Sequence, residues 1–370
     1  MKKKVLILGC TGSVGTSTLN IIREFPEHFT VCGLTAHSNN HALQALCKEF
    51  CCDNYMLTSV ENSFEHIIKK SHADIAVNAI AGSAGLIPSV LCLENGIDLA
   101  LANKETVVMA GDIIKELATA HNCKIIPVDS EHSAVFSLTE HYGRKNIAKI
   151  VLTASGGPFL NHSRDDLEHV SVEDALNHPT WNMGKKITID SATLANKGLE
   201  VIEACRLFDL LPEQVQVSVH PQSLVHSFIC TVDGDVYAQI SKPDMRRPIV
   251  TALLWPEMTE NTIEKFDFTK ECTMTFMPPR SDDFPLLQLA FDAQKKGGSY
   301  TIAYNAANEV AVDLFLQKKI GFTDIAKSVK SVLSLDWSKK PVTVDDVLLF
   351  NNEVHAKTLE MYESGMYTTF

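Results

Sequence analysis

The chain lacks the features that would direct it to zinc, nucleic acid or a membrane. Among its ten cysteines no CxxC pair occurs, and no Cys/His cluster has zinc spacing. Many cysteines, such as Cys32, Cys92 and Cys205, lie in apolar runs instead, which is the usage of reduced core thiols in a cytoplasmic protein. Positive charge is in deficit: 33 Lys and Arg stand against 45 Asp and Glu, a formal net charge of −12. Such a field does not attract nucleic acid, and any anionic substrate must be met by a local concentration of cations. Long apolar runs are also missing. The longest weakly charged stretch, Ile75 to Leu93, contains Asn78, Gly82, Gly85 and Pro88, and reads as strand, loop and helix rather than a membrane span. Met1-Lys2-Lys3-Lys4 leads straight into a short strand-like run with no small-residue cleavage site after it, so no signal peptide is expected. No internal repeat or low-complexity tract is present. These absences predict a cytoplasmic protein with neither membrane nor nucleic-acid partners.

At 370 residues the chain is too long for one hydrophobic core. Its 45% hydrophobic and 21% charged residues are ordinary for a globular protein. The first third alternates strand-like runs (Val5–Gly9, Thr30–Thr35, Asp74–Ala79, Ile97–Ala102, Lys124–Val128) with helical patterns, which predicts βαβ units and a parallel sheet covered on both faces. Beyond Ser130 come Ile150–Thr153, a long loop around His178–Lys186, a helix over about 192–208, and the runs Val215–Val219, Ser223–Thr231 and Val236–Ser241. Asp233-Gly234 is a hairpin turn between the last two. This central region reads as an α+β domain with an antiparallel or mixed sheet. Arg246 to Pro285 is proline-rich and reads as linker, and from Leu286 onward the pattern is helical, with Ala303, Ala306, Val310 and Leu314 on one stripe. The expected domains are 1–129, 130–254 with a flap at about 177–186, a linker over 255–285, and an α-helical domain over 286–370.

Gly9-Cys10-Thr11-Gly12-Ser13-Val14-Gly15 follows the first strand and opens a helix. The spacing is GxxGxxG, not the GxGxxG of the Rossmann fingerprint, but the physics is shared. Glycines allow a tight turn and close approach of a pyrophosphate, and the helix N-terminus offers free N–H groups. A dinucleotide is therefore expected on a Rossmann-like domain; the bland reading is a tight structural turn. Where NAD enzymes carry an acid after the second strand, this chain has Ala36-His37-Ser38-Asn39. The His37, Ser38 and Asn39 side chains can donate to a 2′-phosphate, which a carboxylate would repel, so NADPH is favoured. Asn103-Lys104-Glu105 falls at the same carboxyl edge of the sheet.

Asp129-Ser130-Glu131 stands where a strand ends and a helix begins, and its two carboxylates can converge on one hard cation. A capping Asp beside a solvated Glu is the plainer alternative. On the helix over 192–208, Asn196, Lys197 and Glu200 share one face, which is either solvated surface or part of a site. Ser191, expected just before that helix, and the loop Ser155-Gly156-Gly157 add hydroxyls and close backbone approach, together a candidate phosphate cradle. His178, Trp181 and Met183 occupy a loop broken by Pro179 and Gly184. That loop is either a lid that excludes water or one whose Trp packs on the domain.

Several strings then coincide in order: Gly9 to Gly15, Leu101-Ala-Asn-Lys-Glu105, Pro127-Val-Asp-Ser-Glu-His132, Thr153 to Phe159, His178-Pro-Thr-Trp181, Asp190-Ser-Ala-Thr193, Asn196-Lys-Gly-Leu-Glu200 and Asn305-Ala-Ala-Asn-Glu309. Over essentially its whole length the chain resembles the 1-deoxy-D-xylulose 5-phosphate reductoisomerase family. The resemblance implies isomerisation and NADPH-dependent reduction of that sugar phosphate to 2-C-methyl-D-erythritol 4-phosphate, in non-mevalonate isoprenoid synthesis, by a homodimer. It implies Asp129, Glu131 and Glu200 as ligands of Mg²⁺, Mn²⁺ or Co²⁺, and Ser155, Ser191, Asn196 and Lys197 around the phosphate. Lys104 and Ser130 match contacts to the sugar backbone, while His178, Trp181 and Met183 match the flap. Glu131, Lys104 and His178 are the candidates for catalytic proton handling. The resemblance further implies Thr11, Gly12, Ser13, Val14, Asn103, Glu105 and Gly184 at the cofactor, beside Ala36, His37, Ser38 and Asn39. Where the family often has Gly followed by a basic residue, this chain has Ala36-His37, and a neutral His37 holds a 2′-phosphate less strongly than Arg or Lys. Two rivals remain at this point. A semialdehyde-type NADPH reductase needs a nucleophilic Cys beside a base, and no cysteine here has that setting. A non-catalytic dinucleotide sensor leaves Asp129, Glu131 and Glu200 without a reason to converge.

Overall fold

The computed structural model describes residues 2–61, 63–181 and 183–365. Contacts divide the chain into two compact units built from non-consecutive stretches: residues 1–106, 112–137 and 244–266 in the first, and 107–111, 138–243 and 267–370 in the second.

In chain order the elements begin with β1 (Lys3–Leu8), α1 (Ser13–Glu24), β2 (Phe29–Ala36), α2 (Asn40–Glu49), β3 (Tyr55–Leu57), α3 (Glu65–Ser71), β4 (Ile75–Asn78), α4 (Leu86–Glu94), β5 (Asp98–Leu101), α5 (Lys104–Ala120), β6 (Ile125–Pro127) and α6 (Ser130–Tyr142). The six strands form one parallel sheet in the order β3-β2-β1-β4-β5-β6, the doubly wound arrangement. Its inner strands are buried on both faces, which is why Val5–Leu8 and Ile75–Val77 read as unbroken apolar runs. β3 has only three residues, too few for a periodic signal, and was not among the expected strands.

The remaining elements are β7 (Ile147–Ala154), α7 (Arg164–Leu167), α8 (Val172–Leu176), α9 (Lys185–Ala192), α10 (Ala195–Leu207), β8 (Val215–Val219), β9 (Val225–Thr231), β10 (Val236–Ile240), α11 (Arg246–Leu254), α12 (Leu286–Lys296), α13 (Tyr300–Leu316), α14 (Phe322–Leu333) and α15 (Val344–Ser364). The second sheet is mixed, in the order β10-β9-β7-β8, with only β7 and β8 parallel. The expected hairpin turn is present: Gly234 has φ +97°, and the Thr231 N–H donates to the Asp235 carbonyl at 2.9 Å.

Three expectations need correction. The stretch from Arg246 opens with a helix, α11, not a linker. Pro248 lies in its first turn, where a missing N–H costs nothing, and Ile249, Val250, Ala252 and Leu253 pack into the core of the first unit. The helix expected over about 192–208 is present as α10, but it is preceded by a helix, α9, that was not expected. Leu194, in the left-handed region (φ 59°, ψ 11°), separates α9 from α10. Finally, α13 has no single apolar stripe. It is buried on nearly all faces, Asn305 and Asn308 included.

Candidate active site

In the first unit, the loop after β1 is shaped by backbone. Gly9 has φ +88°, and its N–H and that of Cys10 donate to the Thr35 carbonyl at 3.2 and 2.8 Å. A Cβ on Gly15 would lie 2.3 Å from the Gly9 carbonyl oxygen, so only glycine fits; one on Gly12 would meet that oxygen at an ordinary 3.5 Å. Gly12 caps α1 without a side-chain bond, and the first turn carries no acid. The N–H groups at Ser13 and Val14 thus face an end suited to an anion, with Thr11 beside them.

Beyond β2, Ala36 is buried, while His37, Ser38 and Asn39 are exposed. His37 Nδ1 lies 3.0 Å from the Thr58 hydroxyl. Asn39 already has a structural task, since its carboxamide oxygen accepts the Ala42 N–H at 3.1 Å and caps α2. Asn103 is similarly engaged. It caps α5 through Thr106, and its amide nitrogen donates to the Ile80 and Gly82 carbonyls (2.8 Å each) and to Glu105 (2.9 Å). Both Asn103 and Glu105 are buried, and they tie two loops at the carboxyl edge of the sheet together.

Beside them Lys104, also buried, reaches Asp129 at 2.8 Å, and His132 Nδ1 lies 3.6 Å from the same carboxylate oxygen. Burial pushes the Asp129 carboxyl up, but the Lys104 ammonium, followed by His132, outweighs it and holds the group well below the usual range. Asp129 is therefore anionic. The Ser130 hydroxyl donates to Glu131. His132 belonged to one of the strings singled out in the sequence but had no role assigned; its position three residues after Asp129, one helical turn on, is the signal that could have found it.

In the second unit three separated segments meet at one imidazole. His178 Nε2 is 3.1 Å from the hydroxyls of both Ser155 and Ser191. Its Nδ1 accepts the backbone N–H groups of Thr180 (3.1 Å) and Trp181 (2.9 Å). An Nδ1 that accepts twice places the hydrogen on Nε2, so the ring donates toward the serines and leaves their own hydroxyl hydrogens to donate elsewhere. Burial lowers the His178 pKa, in the direction that favours the neutral ring. Gly156 and Gly157 (φ +86° and +66°) bring the Ser155 loop close; a Cβ on Gly157 would lie 2.9 Å from the Ser191 carbonyl oxygen. Ser191 does not precede a helix as expected but lies in the last turn of α9. Its contribution is a hydroxyl, not a helix N-terminus.

On α10, Asn196 donates to Glu200 Oε1 at 2.5 Å and Lys197 to Glu200 Oε2. Lys197, Glu200 and Glu203 are all buried. The face that the sequence left open as solvated surface is interior, where a carboxylate persists only with compensating charge and hydrogen bonds. In the flap, Trp181 and Met183 are half-buried and Gly184 is the exposed N-cap of α9. Asn182, within the same expected flap, lies outside the described residues.

The family model described as 1-deoxy-D-xylulose 5-phosphate reductoisomerase matches residues 5–63 and 53–111. Its C-terminal domain matches residues 125–208, and a DXP reductoisomerase C-terminal domain matches 240–357. A 1-deoxy-D-xylulose 5-phosphate reductoisomerase of Treponema denticola is 49% identical over 368 residues, covering 97% of each chain. That of Chlorobaculum tepidum is 45% identical, covering 94% of this chain and 96% of its own. A crystal structure of a DOX-P reductoisomerase with NADPH, fosmidomycin and magnesium superposes with a TM-score of 0.91 at 37% identity, covering 98% of each chain. The Zymomonas mobilis protein with NADPH gives 0.89 at 38%, covering 98% of this chain and all of that one.

Proposed function

Because this chain belongs to the 1-deoxy-D-xylulose 5-phosphate reductoisomerase family, we propose that it converts 1-deoxy-D-xylulose 5-phosphate to 2-C-methyl-D-erythritol 4-phosphate with NADPH and a divalent metal. The observation that carries this reading is similarity along the whole length, 49% identity over 97% of the chain.

By the family resemblance, Asp129, Glu131 and Glu200 would hold the metal in this reading. The donors are all carboxylate oxygens, the chemistry suited to Mg²⁺, Mn²⁺ or Co²⁺, and the low pKa of Asp129 keeps one of them charged at any physiological pH. The dinucleotide fits the acid-free α1 N-terminus, with contacts from Thr11, Gly12, Ser13 and Val14. In this reading His37, Ser38 and Asn39, next to Ala36, are the contacts for the 2′-phosphate, and Asn103, Glu105 and Gly184 are carried over from the family resemblance as further cofactor contacts. When bound, NADPH supplies the hydride and the cation supplies positive charge for developing oxyanions.

The chain's own residues supply the rest. Ser155, Ser191, Asn196 and Lys197 bind the substrate phosphate; the Nε2–H of His178 supports this role by freeing both serine hydroxyl hydrogens to donate. Lys104 and Ser130 orient the sugar backbone. Lys104 and Glu131 exchange protons with substrate oxygens, and His178 holds its proton at Nε2. Trp181 and Met183 close over the substrate and exclude water. We read the protein as a cytoplasmic homodimer on the strength of its family. No helix among the described residues is long and apolar enough to cross a membrane.

The test follows nicotinamide absorbance with 1-deoxy-D-xylulose 5-phosphate after chelation and after adding metal back. Oxidation of NADPH that returns with Mg²⁺, Mn²⁺ or Co²⁺ is expected. No oxidation with any of the three would remove the proposal.

A further inference from the structure

The string Asn305-Ala-Ala-Asn-Glu309 has no place in the chemistry above, yet it lies on α13, where Asn305 and Asn308 are wholly buried. The Asn308 amide donates to Asp190 Oδ1 at 2.7 Å, and Lys186 Nζ lies 2.9 Å from Asp190 Oδ2. Asp190 is itself buried and immediately precedes Ser191 on α9. One turn earlier on α13, the Tyr304 hydroxyl donates to the Leu286 carbonyl at 3.1 Å and lies 3.4 Å from that of Ala195, the first residue of α10. Gly198, next to Lys197, packs so closely here that a Cβ would lie 2.5 Å from the Tyr304 oxygen. Thus α13 grips α9 at Asp190 and α10 at Ala195 and Gly198, on either side of the left-handed joint at Leu194.

A contact needed only for stability would be made more cheaply from apolar side chains, because a buried carboxylate carries a desolvation penalty that its partners must offset. What the polar contact adds is direction. Apolar packing tolerates a small rotation of α9 about its axis, whereas the Asn308–Asp190 hydrogen bond does not. Such a rotation would carry the Ser191 hydroxyl away from His178 and Ser155. We infer that Asn308 and Asp190 are positioning residues of the active site, whose hydrogen bond fixes the rotation of α9 and so the placement of Ser191. The inference rests on the reading of Ser191 as a phosphate contact in the proposed reaction.

The test compares wild type with Asn308→Ala, Asn308→Asp and the exchanged pair Asp190→Asn/Asn308→Asp. For each, kcat, both KM values, inhibition by inorganic phosphate and the melting temperature are measured. Asn308→Ala should raise KM for the sugar phosphate about tenfold and weaken phosphate inhibition in parallel, since a misplacement of about 1 Å costs up to a hundredfold. The KM for NADPH should not move. Asn308→Asp, which sets two carboxylates face to face, should be worse, and the exchange, which restores one amide against one carboxylate, should recover most of the loss. A lower melting temperature with unchanged KM for the sugar phosphate would make the contact merely structural and overturn the inference. So would an exchanged pair no better than Asn308→Asp. If Asn308→Ala fails to fold, Tyr304→Phe, which keeps the ring and loses the hydroxyl, tests the α10 grip by the same readouts: a raised KM for the sugar phosphate with unchanged KM for NADPH supports the inference, and no change in either overturns it. Wild type that oxidises no NADPH removes the functional reading; active wild type with an indifferent Asn308→Ala removes this inference alone.

Discussion

The loop Gly9 to Gly15 and the corner where α9 meets α10 are both proposed to serve phosphorylated ligands, and they are built from opposite materials. The loop has no charged side chain. It offers backbone N–H groups at the start of α1, and its shape depends on glycine where a Cβ would strike the chain. The corner is made of wholly or partly buried side chains: Lys197 with Glu200, Lys186 with Asp190, and an imidazole between two serines. A site of backbone dipoles fails by steric distortion. A site of compensated buried charges fails when a single charge is altered.

That contrast can be broken or sharpened by three changes, in falling order of effect. Glu200→Gln keeps the shape of the side chain and removes its charge, leaving Lys197 without its carboxylate. Turnover should fall roughly a thousandfold or more, as for loss of a group that stabilises transition-state charge, while fluorescence titration should show NADPH affinity unchanged. Weakened NADPH binding would mean that the two sites are not separable. Next, Gly15→Ala places a Cβ 2.3 Å from the Gly9 oxygen. Chemical denaturation should show a loss of about 3 kcal/mol, at the upper end of overpacking costs. Gly12→Ala, with its ordinary 3.5 Å contact, should leave stability nearly unchanged and raise only the KM for NADPH. Equal losses in the two would contradict a steric account of the loop. The smallest effect is a pH dependence. Burial lowers the folded pKa of His178 below the ordinary value of 6.5, so the unfolded chain binds its proton first. Stability should decline as pH falls below that value and level off below the folded pKa. His178→Gln should flatten that part of the profile, and an unaltered slope would place the ring in solvent.

The same contrast explains what could be read in advance. The glycine loop was legible because all of its parts are contiguous and follow an apolar strand. The inner strands were legible because burial on both faces leaves most of their length apolar, as in Val5–Leu8 and Ile75–Val77. The corner was not. Ser155, His178 and Ser191 come from three segments, and nothing local says that they meet. Asn196, Lys197 and Glu200 fall on one helical face, but sequence alone does not tell a solvated polar face from a compensated buried one. The break at Leu194 was hidden because leucine in the left-handed region has no local signature, and apolar spacing runs on through it. The helix α11 was masked by Pro248, a residue harmless in a first turn. Asn308 was visible in its string, but its partner lies 118 residues away.

The central proposal, which rests on the family resemblance, is that Asp129, Glu131 and Glu200 hold one metal ion. Mn²⁺ binding followed by electron paramagnetic resonance tests it most directly, in wild type, Asp129→Asn and Glu200→Gln. The account predicts a single Mn²⁺ site in wild type whose affinity falls at least tenfold in each variant, in line with about 10–100-fold for disturbed metal ligation. Wild-type Mn²⁺ affinity in Glu200→Gln would contradict it.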